Sequence, residues 1–281
     1  MANNITYIGS VTSDEPLNLA MAGQTDPEST STIKRPPDNV IMVFQYITCG
    51  RGFFINGGNK YIPVAGDFFI VPPHRAHHYY PDPHDPWGKV WINVTGNLPI
   101  DLMRIYGIAD QYYFPGCHEA GKIVEEMVYA VADISSEKLT EYVSHRILDI
   151  IMVLSRFSRQ NKLDRQLQNE KALKLRDFLR SRIATESPGI KEMSKKVGLS
   201  PVQTIRVFRD EFNITPYAYL LNEKINVAAE MLSTAENSIK EIAELLGFTN
   251  EYYFSRIFKQ KKGIPPGTFR RNAHSHDTSG Q

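Results

Sequence analysis

The sequence predicts an α+β chain. Its N-terminal part forms a β-barrel or sandwich with two following helices, and its C-terminal part forms an all-α domain with two helix-turn-helix units. Three observations carry this. Between Val40 and Val94 short apolar runs alternate with turn clusters, the mark of many short strands. Near Cys117 the apolar spacing changes to a helical period. Finally, Ile190-Lys-Glu-Met-Ser-Lys-Lys-Val-Gly-Leu199 returns as Ile239-Lys-Glu-Ile-Ala-Glu-Leu-Leu-Gly-Phe248, an offset of 49 that becomes 50 beyond the Gly. A unit that repeats with one residue gained at its turn is the same supersecondary element written twice. A short amphipathic segment, a Gly and a longer amphipathic segment make a helix-turn-helix.

Composition sets the bounds. A chain of 281 residues, 42% apolar and 22% charged, is long enough for two ordinary cores. The net charge of +1 hides an asymmetry: residues 1–165 hold 14 Lys+Arg against 18 Asp+Glu, and residues 166–281 hold 18 against 13. The repeat therefore lies in the basic half, as a nucleic-acid partner requires. Two cysteines, Cys49 and Cys117, read as cytosolic thiols rather than a disulfide framework. No secretory signal or membrane span is visible, so a soluble cytoplasmic protein is expected, and Asn93-Val-Thr95 carries no glycosylation meaning.

Taken in order, residues 1–30 are polar and turn-rich, an arm or edge segment. Strands are expected at Val40–Ile47, Gly52–Ile55, Lys60–Val64, Phe68–Val71 and Val90–Val94, separated by Asn56-Gly-Gly-Asn59, Ala65-Gly-Asp67 and the Pro-rich run from Pro81 to Pro86. Helices are expected over His118–Asp133 and Glu137–Arg159. The second carries a heptad-like stripe, Val143, Ile147, Ile150, Leu154 and Phe157, suited either to packing on its own sheet or to a homodimer seam. The polar stretch 161–170 reads as a linker between a domain at 1–160 and a domain at 171–281. Helix resumes at Lys171 with Leu173, Phe178, Leu179 and Ile183 inward, and stops at Glu186-Ser-Pro-Gly189.

The two units span 190–212 and 239–262. In the first, Ile190, Met193 and Val197 face inward and Gly198 makes the turn, where a positive φ suits only Gly cheaply. Ser200 caps the next helix and Pro201 begins it. Val207, Phe208 and Phe212 face inward, leaving Val202, Gln203, Ile205, Arg206 and Arg209 outside. The second unit buries Ile242, Ala243, Leu246, Phe254, Ile257 and Phe258, turns at Gly247 and caps with Asn250. Glu251, Tyr252, Ser255, Arg256 and Lys259 are left outside. Such a helix reads base edges in the major groove from its N-terminal turns. Arg206 and Arg256 sit at matched positions suited to guanine, whereas Arg209, Lys259 and Lys261 suit phosphates. The helix between, Tyr217 to Met231, is a rod of roughly 24 Å, enough to hold two reading helices near one turn of double-stranded DNA apart, about 34 Å.

Residues 170–271 resemble the DNA-binding domain of the AraC/XylS family of transcription regulators. The likeness is strongest over Ile239–Lys259 and Gly263-Ile-Pro-Pro-Gly-Thr-Phe-Arg270. The resemblance puts Val202, Gln203 and Arg206, and Glu251, Tyr252, Ser255 and Arg256, at base-reading positions. Three residues depart from the family pattern: Thr204 replaces a Leu, Asn213 a Gly and Lys224 an Arg. An activator of this type would act on RNA polymerase.

Residues 35–95 resemble the cupin-like effector domain of the arabinose-sensing branch, through Arg35-Pro-Pro, Gly50-Arg-Gly52, Pro63–Pro73, His77-His-Tyr79 and Trp87 with Trp91. The resemblance implies a sugar effector with Arg35, Tyr79 and Trp91 at contact positions, and Lys89 where that branch uses His. Trp offers an apolar face to a sugar ring while Arg and Tyr hydrogen-bond its hydroxyls. A metal-dependent cupin enzyme is the rival for His74, His77, His78 and His84. A β domain that only dimerises is the other alternative. No Glu follows the His cluster before Glu119, and the sequence holds no nucleophile elbow, phosphate loop or His-Glu-x-x-His. The expectation is therefore a regulator without catalytic residues, metal ligands or a cofactor.

Overall fold

In the computed structural model, which describes residues 3–11, 15–234 and 236–277, the strand-rich part is two facing sheets rather than a closed barrel. In chain order the strands are β1 Asn3–Ile8, β2 Asn18–Thr25, β3 Ile33–Arg35, β4 Met42–Cys49, β5 Gly52–Asn56, β6 Asn59–Tyr61, β7 Phe68–Val71, β8 His77–Pro81, β9 Gly88–Thr95 and β10 Tyr113–Phe114. One antiparallel sheet runs β1-β2-β9-β4-β7-β10 and the other β3-β8-β5-β6. The helices of this part are α1 Leu98–Ile105, α2 His118–Ala130 and the first portion of α3 Ser136–Arg180. The chain divides into two compact units between Lys162 and Leu163.

Strand periodicity explains the layering, because successive side chains point to opposite faces. In β4, Met42 and Phe44 join the core under the helices while Val43 and Ile47 join the core between the sheets. Strand β7 splits in the same way, Phe68 and Ile70 one way and Phe69 and Val71 the other. The larger sheet is thus buried on both faces, which is why its runs look continuously apolar.

Several elements differ from expectation. The polar arm at 1–30 contains β1 and β2, and β2 is an inner strand between β1 and β9; residues 1–2 and 12–14 of the arm lie outside the described residues. The stretch 161–170 is helical and mostly exposed within α3. Its Lys, Leu, Arg, Gln and Glu residues are good helix formers, so its polarity marks a solvated helix and not a break. Of the stripe, Val143, Ile147, Ile150 and Leu154 are fully buried in the first unit's own core and Phe157 is half-buried against it, so those four have no face left for a dimer seam.

The second unit is helical: the rest of α3, then α4 Ile190–Val197, α5 Pro201–Phe212, α6 Pro216–Thr234, α7 Ile239–Leu245, α8 Glu251–Lys262 and α9 Pro266–Asp277. It holds two small cores. Leu175, Leu179, Met193, Val197 and Phe208 meet Leu220 of α6, while Ile242, Ala243, Leu246, Phe254 and Phe258 meet Ile225 and Ala228 of the same helix. On α3 the inward face is Ala172, Leu175 and Leu179, with Leu173 only half-buried. Helix α6 is therefore the spine that both units share. Among the described residues no helix is long and apolar enough to cross a membrane.

Candidate DNA interface and effector cavity

Helices α5 and α8 each start with a built cap. The Ser200 hydroxyl accepts from the Gln203 backbone N–H, and the Gln203 side-chain oxygen accepts from the Ser200 backbone N–H at 3.1 Å. This reciprocal box satisfies two orphan donors. It also ties down the side-chain carbonyl of Gln203, which the family resemblance puts at a base-reading position. Asn250 caps α8 by accepting from the Tyr253 N–H at 2.7 Å. The turn residues Gly198 and Gly247 take φ of 66° and 64°, and Asn213 ends α5 at φ 56°. Asn is the residue after Gly that tolerates this region best, which accounts for its replacing a Gly there.

The outward faces follow the sequence expectation. Val202, Gln203, Arg206 and Arg209 are exposed on α5, and Glu251, Tyr252, Arg256 and Lys259 on α8, with Ser255 half-buried. The apolar Val202 and the aromatic Tyr252 stand open, at 77% and 82%. Arg256 lies over the Tyr253 ring at 5.4 Å, which holds its guanidinium against the helix. Arg206 and Gln203 flank a shallow cleft opposite Asp164, Gln168 and Lys171 of α3.

The two departures in the interior are both satisfied. Thr204, 1% exposed, donates or shares its hydroxyl with Ser200 O at 2.9 Å and Ser194 Oγ at 3.1 Å. That is a polar bridge between α4 and α5 where an apolar contact is expected. Lys224, equally buried, donates to Thr185 O at 2.6 Å and Leu246 O at 2.7 Å, and burial lowers its pKa.

In the first unit a cavity of about 150 Å³ opens between the sheets, and it brings together all four predicted effector residues, Arg35, Tyr79, Lys89 and Trp91. The register explains the grouping. Lys89, Trp91 and Asn93 alternate along β9 and face the cavity, as do Gln45 and Val43 of β4, while Arg35 and Tyr79 come from the opposing sheet. Trp91 donates its indole N–H to Thr25 Oγ1 at 3.0 Å, so it offers the cavity a ring face and not a donor. Lys89 donates to Gln45 Oε1 at 2.6 Å and lies 4.3 Å from the centre of the Tyr79 ring and 4.9 Å from that of Trp87. Burial brings the Lys89 pKa down to about 7 and pushes that of Tyr79 up to about 12.

Sequence reasoning missed Thr25, Gln45 and Asn93. The signal for Gln45 was present, a lone amide inside the apolar run Val43-Phe44-Gln45-Tyr46. Thr25 lies on a strand that the polar arm concealed. The histidines do not converge: His77 is buried with Nδ1 on Arg75 O at 3.0 Å, whereas His78 points to the other side of β8 and His74 is exposed. Among the described residues no group of three His, Cys, Asp or Glu side chains is placed to hold a metal ion.

Known proteins match both units. The family described as the AraC-like ligand binding domain matches residues 30–175, and the helix-turn-helix domain matches residues 193–272. The uncharacterized HTH-type transcriptional regulator YfiF of Bacillus subtilis is 31% identical over 242 residues, 80% of this chain and 75% of that one. The raffinose operon transcriptional regulatory protein RafR of Pediococcus pentosaceus is 23% identical, over 82% of this chain and 84% of that one. The arabinose operon regulatory protein of Salmonella typhimurium is also 23% identical, over 79% and 80%. With one unit matched by an effector-binding family and the other by a DNA-binding one, the chain belongs to the AraC family of DNA-binding transcription regulators and not to a family of enzymes.

Proposed function

We propose that this regulator activates carbohydrate-utilisation genes when a sugar occupies the cavity of its N-terminal domain. The observation that carries the reading is the convergence of Arg35, Tyr79, Lys89 and Trp91 on one cavity between the sheets, in a chain that also holds two capped helices with exposed basic faces. An aromatic face beside hydrogen-bonding groups is what a sugar ring requires. Two of the relatives named above regulate a raffinose and an arabinose operon, which agrees with this effector class. The domain of residues 1–160 serves as sensor, 161–170 as connection and 171–281 as DNA reader.

On the DNA, Val202, Gln203 and Arg206 of the first unit and Glu251, Tyr252, Ser255 and Arg256 of the second face base edges in this reading, while Arg209 and Lys259 take phosphates. The working form is a homodimer that contacts RNA polymerase. Its seam lies outside the buried stripe of α3, and the available apolar surface includes the exposed Tyr129 and Met152.

A thermal-shift panel of sugars on the full chain tests the effector. By linkage, a ligand at 100 times its dissociation constant adds about 2.7 kcal/mol of stability, a clear rise in Tm. Silence across the panel would move the β domain to a purely dimerising role. A reporter on the neighbouring operon tests the direction: deleting the gene should abolish induced expression, and constitutive expression in the deletion would make the protein a repressor.

A further inference from the structure

The cavity is donor-rich and acid-free. Of its lining side chains two are cations, Lys89 and Arg35, and none is Asp or Glu. Among the described residues neither cation has a carboxylate within ion-pair distance, and burial alone accounts for the depressed Lys89 pKa. An ammonium carries three N–H donors, and only one of those on Lys89 ends on an acceptor, the Gln45 oxygen. Gln45, fully buried, keeps its Nε2 close to the Tyr79 hydroxyl without a hydrogen bond of good geometry, and Arg35 Nε is buried without a partner. The indole N–H of Trp91 is already committed to Thr25.

A neutral sugar would leave both cations of this inventory without a counter-charge. Each hydroxyl both donates and accepts, so a neutral ring needs acceptors in its site as much as donors. The two cations supply none and the Gln45 oxygen already accepts from Lys89, so acceptors are left to the neutral side chains of Ser31, Tyr79 and Asn93. An acceptor-only group is the complement: an ionised carboxylate or a phosphate offers several lone pairs and the charge that a buried unpaired ammonium lacks. The cavity is also small. Its 150 Å³ is below the usual span for drug-sized ligands, which limits the occupant to something of monosaccharide size.

We infer that the effector is an anionic monosaccharide, its carboxylate or phosphate seated between Lys89, Arg35 and the Gln45 amide, and its ring on the face of Trp91. This rests on the sugar-effector reading and narrows it. Burial disfavours the charged form of Lys89, and a bound anion offsets that cost. The aromatic rings of Tyr79 and Trp87 keep the ammonium in place meanwhile.

The test is calorimetry and thermal shift on the full chain with three matched probes: galactose, galacturonate and galactose 6-phosphate, repeated in the glucose series. Galacturonate or glucuronate is expected to bind roughly tenfold to a hundredfold more tightly than its neutral parent, the span that charge-assisted hydrogen bonds allow. A preference for the phosphate ester over the acid would keep the anion and assign its source to phosphate. Lys89→Met should erase the preference of the acid over its neutral parent. Arg35→Gln, at the half-buried edge of the site, gives the same readout should the first variant fold poorly. Equal or tighter binding of the neutral sugars would overturn the anionic assignment and leave the sugar effector standing. No binding by any probe would overturn both.

Discussion

Replacing Lys224 with Met is expected to destabilise the C-terminal domain by about 1–3 kcal/mol, since the buried Leu246 carbonyl loses its donor, with a smaller loss at the part-buried Thr185 carbonyl. The lysine reaches from α6, the helix common to both reading units, and donates to Thr185 O and Leu246 O. It therefore joins the end of the segment after α3 to the turn of the second unit. Relief from burying an ammonium, visible in its lowered pKa, offsets part of the loss and favours the lower half of the range. Even so, the shift in Tm should reach roughly 4 °C or more for a domain of this size. Lys224→Arg, the residue that the family resemblance leads one to expect, should keep most of the stability. Gly247→Ala acts on the same junction: its φ is 64° and an added Cβ would lie 2.2 Å from Thr185 O. Both changes disturb one carbonyl, so the double variant should fall short of additivity by more than about 0.5 kcal/mol. The two tryptophans, Trp87 and Trp91, lie in the first unit, which supplies an internal control. The far-UV CD transition of the helical unit should move while the fluorescence transition stays. Parallel movement of both would deny that Lys224 acts within its own domain.

That junction was only half legible in the sequence. Lys224 was identifiable as a departure within a helix, but nothing in a linear pattern says that a lysine is buried and bonded to two carbonyls. The capped helices were legible because their signals are local: Ser200-Pro201 and Asn250 as caps, Gly198 and Gly247 as turns, and an apolar stripe at helical period. The strand at Phe68–Val71 was equally plain, being apolar and bounded by Gly and Pro. Strand β2 was not, since Ala20, Ala22 and Gly23 have low strand propensity and its place is set by pairing with β1 and β9. The stripe from Val143 to Leu154 fitted a dimer seam and an internal core equally, and only the presence of the larger sheet beneath it decides. For the cavity, the resemblance supplied Arg35, Tyr79, Lys89 and Trp91 as separate positions. What brings them together is register: residues 89, 91 and 93 share a face of β9, and Arg35 and Tyr79 lie on neighbouring strands of the other sheet.

Arg256→Ala is expected to weaken binding to the regulator's own operator by about 1–3 kcal/mol, some fivefold to 150-fold, and to relax base choice at a single position. The side chain is the sixth residue of α8, is exposed, and is steadied over Tyr253. Preorganisation of this kind favours a bidentate contact, because less side-chain freedom is lost on docking. Arg206 is also sixth in its helix, yet its surroundings differ. Among the described residues no aromatic ring steadies it, Gln203 beside it is occupied by the Ser200 capping box, and Val202 at the helix start can give only apolar contact, as to a thymine methyl. Arg206→Ala should therefore cost less in discrimination than Arg256→Ala, although the two positions are matched in the repeat. Lys259→Ala should behave differently again, weakening all sequences alike and lowering the slope of log K against log salt by about one contact. A binding-site selection on the three variants at two salt concentrations separates these outcomes. A selected sequence that stays the same for Arg256→Ala, with only the salt slope reduced, would make Arg256 a phosphate contact and shift base reading toward Tyr252 and Glu251.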